Sequence, residues 1–196
     1  MFVQVIKGHP SDRAGLRRQL DRWRRDLRPN AVGFEGSTVG VTDDGTFIGL
    51  ARFTDQGAAH KNADRPEQTE WWNETATYFD VEPSFRESSD ISTLFEGGSN
   101  DAGFVQVLEG SVTDRASAEA METPELLDRL RRLRPDLIDG YRVWFPHGTY
   151  VEAAYFTSEA EAREGEQSED FDVEQQRYAE LFGEPTFLDL WEPLLD

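Results

Sequence analysis

The sequence contains one segment twice. FVQVIKG at Phe2–Gly8 returns as FVQVLEG at Phe104–Gly110, and an Asp-Arg pair follows each copy a few residues later. Near the ends of the copies, Glu82-Pro83-Ser84-Phe85 matches Glu184-Pro185-Thr186-Phe187. A repeat of roughly 100 residues is too long for a solenoid unit and has the size of a duplicated domain. The repeat therefore constrains the fold far more than it constrains the function.

The segment between the copies is rich in small and polar residues. It reads Gly-Gly-Ser-Asn-Asp-Ala-Gly over residues 97–103, a composition typical of a flexible linker. The sequence therefore predicts a first domain over residues 1–96, a linker over 97–103 and a second domain over 104–196.

The composition narrows the classes of partner. The chain has 196 residues and a formal net charge of −19, from 39 acidic and 20 basic side chains. Nucleic acids and anionic membranes are bound by clustered cations, so neither is an expected partner. The chain has no cysteine, which excludes disulfides and thiolate sites. No apolar run approaches the length of a membrane span, and we expect an acidic cytoplasmic protein.

Both repeats have the same predicted order of strand, helix, strand, strand, helix, strand. The first helix carries one apolar stripe, Leu16, Leu20, Trp23 and Leu27, and Asp43-Asp44-Gly45 is typical of a hairpin turn. The predicted strands are Phe2–Lys7, Ala31–Val41, Thr46–Phe53 and Pro83–Phe95, then Phe104–Glu109, Leu137–Phe145, Thr149–Phe156 and Thr186–Trp191. This order gives an antiparallel sheet with both helices on one face.

A sheet covered on one face needs a cover for the other, and two linked copies can provide it for each other. The pattern, with FTDQGAAHKNADRPEQTEWW at Phe53–Trp72, resembles the dimeric α+β barrel superfamily in a fused tandem form. That stretch is similar to the strand and helices at this place in the antibiotic biosynthesis monooxygenase-like branch. Phe156–Gln167 has the same place in the second repeat but lacks the Arg-Pro-Glu piece. The expected fold class is α+β, with two tandem ferredoxin-like βαββαβ repeats packed sheet to sheet as an intramolecular barrel.

The resemblance implies a ligand cavity between each sheet and its helices. It also implies a cofactor-independent monooxygenase in which an aromatic substrate is deprotonated and passes an electron to oxygen. No cofactor is expected in that case. Haem-binding barrels belong to the same superfamily and remain an alternative, as does a module that binds a ligand or a partner protein without catalysis.

The helix after Asp64 carries the strongest candidates for ligand binding. Trp71 and Trp72 are adjacent, so they cannot both point straight into one core. Trp71 and Tyr78 lie seven residues apart on one face. We expect these three side chains to line a pocket for a small aromatic molecule. The alternative is that they are large fillers of the core and its edge.

Two polar residues in the strands complete the expected binding set. Gln4 lies at the centre of the first strand, and Gln106 has the same place in the second repeat. Arg52 lies in the third strand, where it could hold a carboxylate or phenolate. The alternatives are that Gln4 satisfies a neighbouring main chain or faces its counterpart in the other repeat, and that Arg52 forms an ordinary salt bridge at the barrel rim.

The expected catalytic residues precede the tryptophans. The resemblance implies that His60, Asn62 or Arg65 polarises the ionising oxygen of the substrate. His60 is the one histidine of three in the helix-to-helix region, while His9 and His147 lie in a loop and a turn. No histidine has a partner at metal-site spacing, so no metal site is expected.

Two questions stay open from the sequence. The chain is either a monomer with an internal pseudo-dimer or a homodimer, and it is either an enzyme or a binding module. A pocket lined with ionisable groups would favour the enzyme, and one lined with Trp, Phe and Leu alone would favour the binder.

Overall fold

The computed structural model describes residues 1–167 and 172–196. The chain divides into two compact units, one formed by Met1–Ser89 with Leu194–Asp196, the other by Asp90–Pro193. The first unit is largely the first repeat and the second unit largely the second. The predicted bounds, residues 1–96 and 104–196 with a linker at 97–103, stay a prediction about domains.

The first unit has four strands in the order β4-β1-β3-β2. Its elements are β1 (Phe2–Gly8), α1 (Arg13–Arg22), β2 (Phe34–Val41), β3 (Phe47–Phe53), α2 (Gln56–Ala63), α3 (Pro66–Ala76) and β4 (Ser84–Ser88). The chain end adds to β2, because Ser37 and Asp196 exchange main-chain hydrogen bonds of 2.9 and 3.0 Å. Antiparallel pairing joins β1 to both β3 and β4.

Side-chain caps start the helices of this unit. The Asp12 carboxylate accepts from the Gly15 N–H at 2.8 Å, and the Asp55 carboxylate accepts from the Ala58 N–H at 2.9 Å. Such caps satisfy main-chain donors that have no partner within the helix. After α1 the chain continues through a π-helical turn at Trp23–Leu27, which the apolar stripe Leu16, Leu20, Trp23, Leu27 anticipates as one longer helix.

The second unit has the same strand order with one strand added at its edge, β9-β6-β8-β7-β5. Its strands are β5 (Ile91–Leu94), β6 (Phe104–Ser111), β7 (Leu137–Trp144), β8 (Thr149–Phe156) and β9 (Thr186–Leu195). Its helices are α4 (Arg115–Met121), α5 (Pro124–Leu133), α6 (Glu159–Glu166) and α7 (Asp172–Phe182). Its core includes Trp144, Tyr150 and Phe182, which are almost fully buried.

One predicted strand is two strands in the structure. The sequence predicts a single strand over Pro83–Phe95, but β4 ends at Ser88 and β5 begins at Ile91. The break has a physical cause at Asp90, whose main-chain oxygen accepts from the Trp144 N–H at 2.9 Å. The Asp90 carboxylate also accepts two hydrogen bonds from Arg115. These bonds fix β5 beside β7 in the second unit.

The α+β class and the two tandem ferredoxin-like units are confirmed. Within the described residues the sheets are open and are not closed into a barrel, so the closed barrel goes beyond what is observed. Sheet-to-sheet packing of the units stays a prediction. Over the same residues no helix is both long enough and apolar enough to cross a membrane.

The β2–β3 turn gives a pH-dependent prediction. Hydrogen bonds to the Asp44 carboxylate, first from the Thr42 hydroxyl and then from Thr46, lower the pKa of Asp44 to about 2. A carboxylate with a depressed pKa stabilises the fold above its unfolded pKa and loses that effect as the pH falls through its folded pKa. We expect Asp44→Ala to lower the free energy of unfolding near neutral pH by less than about 1 kcal/mol, because the side chain is exposed.

The difference between the wild type and this variant should shrink between about pH 4 and pH 2, as chemical denaturation at several pH values can show. A difference in the free energy of unfolding that stays constant over this range would show that the Asp44 carboxylate does not stabilise the turn.

Candidate functional site

The first unit contains a cavity of about 390 Å³. It lies between one face of the sheet, where Gln4, Ile6 and Ala51 point, and the helical layer of α1 and α3. This volume is within the range of small-molecule sites. Its lining also includes Trp23, Phe34, Asn62, Gln68, Trp71, Trp72, Phe85 and Glu87.

Aromatic rings form much of the wall. The ring centroids of Trp23 and Phe34 are 4.9 Å apart, and those of Trp72 and Phe85 are also 4.9 Å apart, both pairs being edge to face. Trp71 lies between these pairs, 6.4 Å from Trp23 and 5.9 Å from Trp72. Rings at these distances stabilise one another and present flat apolar surface to a ligand.

The two adjacent tryptophans have different environments. Trp71 is buried, and its indole N–H donates to the Gln19 main-chain oxygen at 2.9 Å, which ties α3 to α1. Trp72 is half-buried, and within the described residues its indole N–H makes no hydrogen bond. Trp71 therefore holds the wall in place, while Trp72 retains a donor and a ring edge for a ligand.

Asn62 brings an amide to the cavity. Its side chain is buried, and its Oδ1 accepts from Arg65 Nη1 at 3.0 Å. The same Arg65 nitrogen donates to the Leu27 main-chain oxygen at 3.3 Å, and the guanidinium also binds Glu67. Over the described residues Asn62 Nδ2 has no partner, so Arg65 orients the amide and leaves a donor at the cavity.

Gln68 provides a second amide, although it is not among the predicted site residues. Its Oε1 accepts from the Trp23 indole N–H at 2.8 Å. In the described part of the chain its Nε2 makes no hydrogen bond. The residue follows Arg65-Pro66-Glu67 directly, but helical spacing alone does not indicate which polar residue turns inward.

A carboxylate that the sequence interpretation missed joins two of the predicted residues. Gln4 Nε2 donates to Glu87 Oε1 at 2.7 Å, and Glu87 Oε2 lies 3.5 Å from His60 Nε2. The side chain of His60 is 53% exposed and that of Glu87 34% exposed. His60 thus lies outside the cavity and contacts its lining through Glu87. The register pairs Gln4 with Glu87 across β1 and β4, and this pairing is the signal that could have found it.

Two predicted residues lie elsewhere. Arg52 is paired with Val3 across β1 and β3, while the neighbouring pair, Gln4 and Ala51, faces the cavity. Successive strand residues alternate between faces, so Arg52 is on the other face of the sheet. It lies against Gly36, where an added Cβ would come within 2.3 Å of Arg52 Nη2.

Tyr78 packs against α1 and does not reach the cavity. A Cβ on Gly15 would lie 2.2 Å from the Tyr78 ring, so the glycine permits this close approach. The Tyr78 main-chain oxygen accepts from the Ser11 N–H at 2.9 Å. Of the predicted set, the cavity therefore contains Gln4, Asn62, Trp71 and Trp72, with His60 and Arg65 one contact away.

The second unit has a larger cavity, of about 1020 Å³, with a different character. Arg142 is almost fully buried at its edge and donates to Glu122 at 2.6 Å and to Glu152 at 2.7 Å. The Tyr178 hydroxyl also donates to Glu152, at 2.9 Å. The Arg142 guanidinium lies 4.1 Å from the centroid of Phe182, a cation–π distance.

Burial is the main cause of the raised pKa values of Glu122 and Tyr178. Desolvation raises the pKa of Glu122, although Arg142 opposes the shift. Desolvation and the Glu152 charge raise the pKa of Tyr178 well above its ordinary value. Two carboxylates share one guanidinium here, so this cavity is rich in charge where the first is rich in aromatic rings.

The three histidines are not placed to bind the iron of a haem in either cavity. Among the described residues, none of His9, His60 and His147 lines either cavity, and His60 faces a carboxylate at the surface. The same residues contain no group of three His, Cys, Asp or Glu side chains that could hold a metal ion.

The chain was also compared with known proteins. No known protein family and no curated protein matches it. A candidate monooxygenase from Fusobacterium nucleatum has a TM-score of 0.76 at 8% identity, over 100% of this chain and 93% of its own. Another, from Lactobacillus acidophilus, has a TM-score of 0.75 at 10% identity, over 96% of this chain and 92% of its own. An anthrone oxidase-like protein has a TM-score of 0.63 at 12% identity, over 100% and 92%.

This chain has the ferredoxin-like fold of these structures. The resemblance to the antibiotic biosynthesis monooxygenase-like branch is confirmed at the level of the fold. At such low identity the likeness extends to the fold alone, so function depends on the residues of the cavities.

Proposed function

We propose that the first unit binds a small planar aromatic molecule with a hydroxyl group and oxidises it with molecular oxygen, without a bound cofactor. The observation that carries the proposal is the cavity of about 390 Å³, which has aromatic walls and a few polar groups with unused hydrogen-bonding capacity. Such a combination of apolar surface and convergent polar groups is typical of small-molecule sites.

The lining provides complementary contacts for such a ligand. The face and edge of Trp72 offer flat apolar surface, and Asn62 Nδ2 and Gln68 Nε2 offer donors. Glu87 offers the acceptor for a hydroxyl proton. A planar molecule with an ionisable oxygen has partners for groups of both kinds, whereas a purely aliphatic ligand would leave the amides and the carboxylate unpaired.

The chemistry follows from the resemblance and from the carboxylate. In the monooxygenase-like branch the substrate is deprotonated and then passes an electron to oxygen. Glu87 is positioned to accept the proton, and the aromatic walls provide an apolar surface against which the substrate ring packs. The solved structures of similar fold that are described as monooxygenase and anthrone oxidase-like support this choice of reaction.

The test uses anthrone, whose enol tautomer is a planar aromatic molecule with a hydroxyl group, as substrate and 2-naphthol as a binding probe. Native mass spectrometry and calorimetry should show binding of 2-naphthol, and an oxygen electrode should show oxygen uptake with anthrone in the absence of any added cofactor. Glu87→Gln should weaken binding of 2-naphthol by no more than about fivefold, because the amide oxygen still accepts a hydrogen bond, and should lose most of the oxygen uptake. Binding without oxygen uptake would favour the non-catalytic module, and absence of binding would remove the proposal.

Replacing each tryptophan separately distinguishes a ligand contact from a structural one. Trp72→Leu should weaken binding of 2-naphthol about tenfold, because it removes the ring that the cavity presents. Trp71→Leu should lower the free energy of unfolding by about 2 kcal/mol, since it removes buried ring surface and the hydrogen bond that ties α3 to α1. Calorimetry and chemical denaturation of both variants measure the two effects. Equal losses of stability with unchanged binding would show that both rings are core fillers.

A further inference from the structure

A four-residue arrangement occurs once in each unit. In the first, Gln4 donates to Glu87 at 2.7 Å, and Glu87 lies 3.5 Å from His60 Nε2. The His60 ring is edge to face with Phe2, at a centroid distance of 6.3 Å. An amide, a carboxylate, a cationic or titratable side chain and a phenyl ring are thus in sequence at the rim of the cavity.

The second unit repeats this arrangement at the matching positions. Gln106 donates to Asp189 at 2.9 Å, Arg163 donates to the other oxygen of Asp189, and its guanidinium lies 5.3 Å from the Phe104 centroid. Gln106 and Asp189 are paired in register, as Gln4 and Glu87 are. His60 and Arg163 hold the same place, the fifth residue of α2 and of α6.

The two arrangements differ in one chemical property. An arginine stays charged at every accessible pH, while a histidine gains or loses its charge near neutrality. Asp189 is therefore permanently engaged by Arg163. In the first unit a histidine, His60, has the place of that arginine beside Glu87.

One carboxylate and one phenyl ring lie against His60 in the described part of the chain. Glu87 of β4 is the one charged side chain within ion-pair distance of His60 among the described residues, and Phe2 of β1 provides the apolar contact. On the facing side of Glu87 lies Gln4, which is neutral. Lys61 and Asp64 are the charged neighbours of His60 along the chain.

We propose that His60 is a positioning residue that switches Glu87 between an ion-paired state and a state available to the hydroxyl of the ligand. The inference rests on the proposed function of the first cavity. Protonated His60 competes with the ligand for the carboxylate and neutralises its charge. Neutral His60 leaves Glu87 as a full acceptor, so affinity for a neutral hydroxyaromatic rises with pH and affinity for an aromatic carboxylate falls.

The experiment measures binding of 2-naphthol and 2-naphthoate to the full chain by calorimetry between about pH 5.5 and pH 8. For the wild type we expect the affinity for 2-naphthol to rise about threefold to fivefold and that for 2-naphthoate to fall by a similar factor, the size of a partly exposed ion pair. Trp72→Leu identifies the cavity that is measured, because a probe bound in the first cavity should bind more weakly to this variant.

Three variants at the matched positions sharpen the result. His60→Arg copies the second unit and should give a flat profile at the level that the wild type has at low pH. His60→Gln should give a flat profile at the high-pH level. Arg163→His is the control in the second unit and should leave the wild-type profile unchanged.

The outcomes separate the two proposals. A wild-type profile without a slope, or a slope that persists in both His60 variants, overturns the switch and leaves the aromatic site intact. Absence of binding of both probes to the wild type overturns the proposed function and the switch with it. His60 is exposed, so thermal denaturation should show all His60 variants folded.

Discussion

Arg142→Met is expected to lower the free energy of unfolding by about 3–5 kcal/mol, the cost of removing one partner from a buried ion pair. The guanidinium lies between Glu122 and Glu152 and is almost fully buried. Its removal leaves two carboxylates close together with no compensating cation. Chemical denaturation of the variant and the wild type near about pH 7 measures the effect.

The loss of stability in Arg142→Met should depend on pH. Burial already raises the pKa of Glu122, and Arg142 opposes that shift, so the variant should raise the pKa further. An acid with a raised folded pKa costs stability above its unfolded pKa, and the cost disappears as the pH falls and the group is protonated in both states. The difference from the wild type should therefore be largest near neutral pH and smaller in acid.

Two comparison variants isolate the cause. Arg142→Met with Glu122→Gln and Glu152→Gln should recover most of the lost stability, because the uncompensated charges are gone. Arg17→Met breaks an exposed pair with Asp21 and should change stability by less than about 0.5 kcal/mol. A similar small loss in Arg142→Met would show that solvent already screens the buried pair.

The duplication has given one scaffold two kinds of interior. The cavity of the first unit has tryptophans, amides and the Glu87 carboxylate, whereas that of the second has a guanidinium shared by two carboxylates. The position of Asn62 shows how this arises. Its counterpart is Gly165, where an added Cβ would lie 2.3 Å from Arg134 Nε, so a guanidinium fills the place that the amide has in the first unit.

Most of the fold could be predicted because it depends on local and periodic patterns. Alternating strands, capped helices and the repeated FVQV segment each specify one element twice, and the two copies agree. The break within Pro83–Phe95 could not be predicted, because it depends on Asp90 meeting Arg115 and Trp144. Those contacts join residues that are far apart in the sequence.

The candidate site could be predicted in part, where its residues also belong to local or repeated patterns. Trp71, Trp72 and Asn62 lie on the helical segment that the resemblance indicates, and Gln4 is marked by its repetition. Glu87 is one of 39 acidic residues, and only the strand register singles it out. The charge of Arg52 predicts a place in the pocket. Strand alternation instead puts Arg52 on the face of the sheet that points away from the cavity.

The strongest expected effect on binding comes from filling the first cavity. Ala51 lies opposite Gln4 in the register and lines the cavity. Ala51→Phe places a ring in the space proposed for the ligand and should weaken binding of 2-naphthol at least about 100-fold, equivalent to about 2.7 kcal/mol. The new ring enters existing space, so the penalty of overpacking a filled core should be small. Calorimetry measures the affinity and thermal denaturation the stability.

The second repeat supplies the matched control. Ala154 lies opposite Gln106 and lines the second cavity, so Ala154→Phe makes the same change at the equivalent position. It should leave binding of 2-naphthol within about twofold of the wild type, a change below 0.5 kcal/mol on the roughly 1.4 kcal/mol per tenfold scale. Loss of binding in Ala154→Phe with retention in Ala51→Phe would assign the ligand to the charged cavity instead. Because both substitutions add the same ring to the same kind of strand position, a difference between them depends on which cavity the ligand enters.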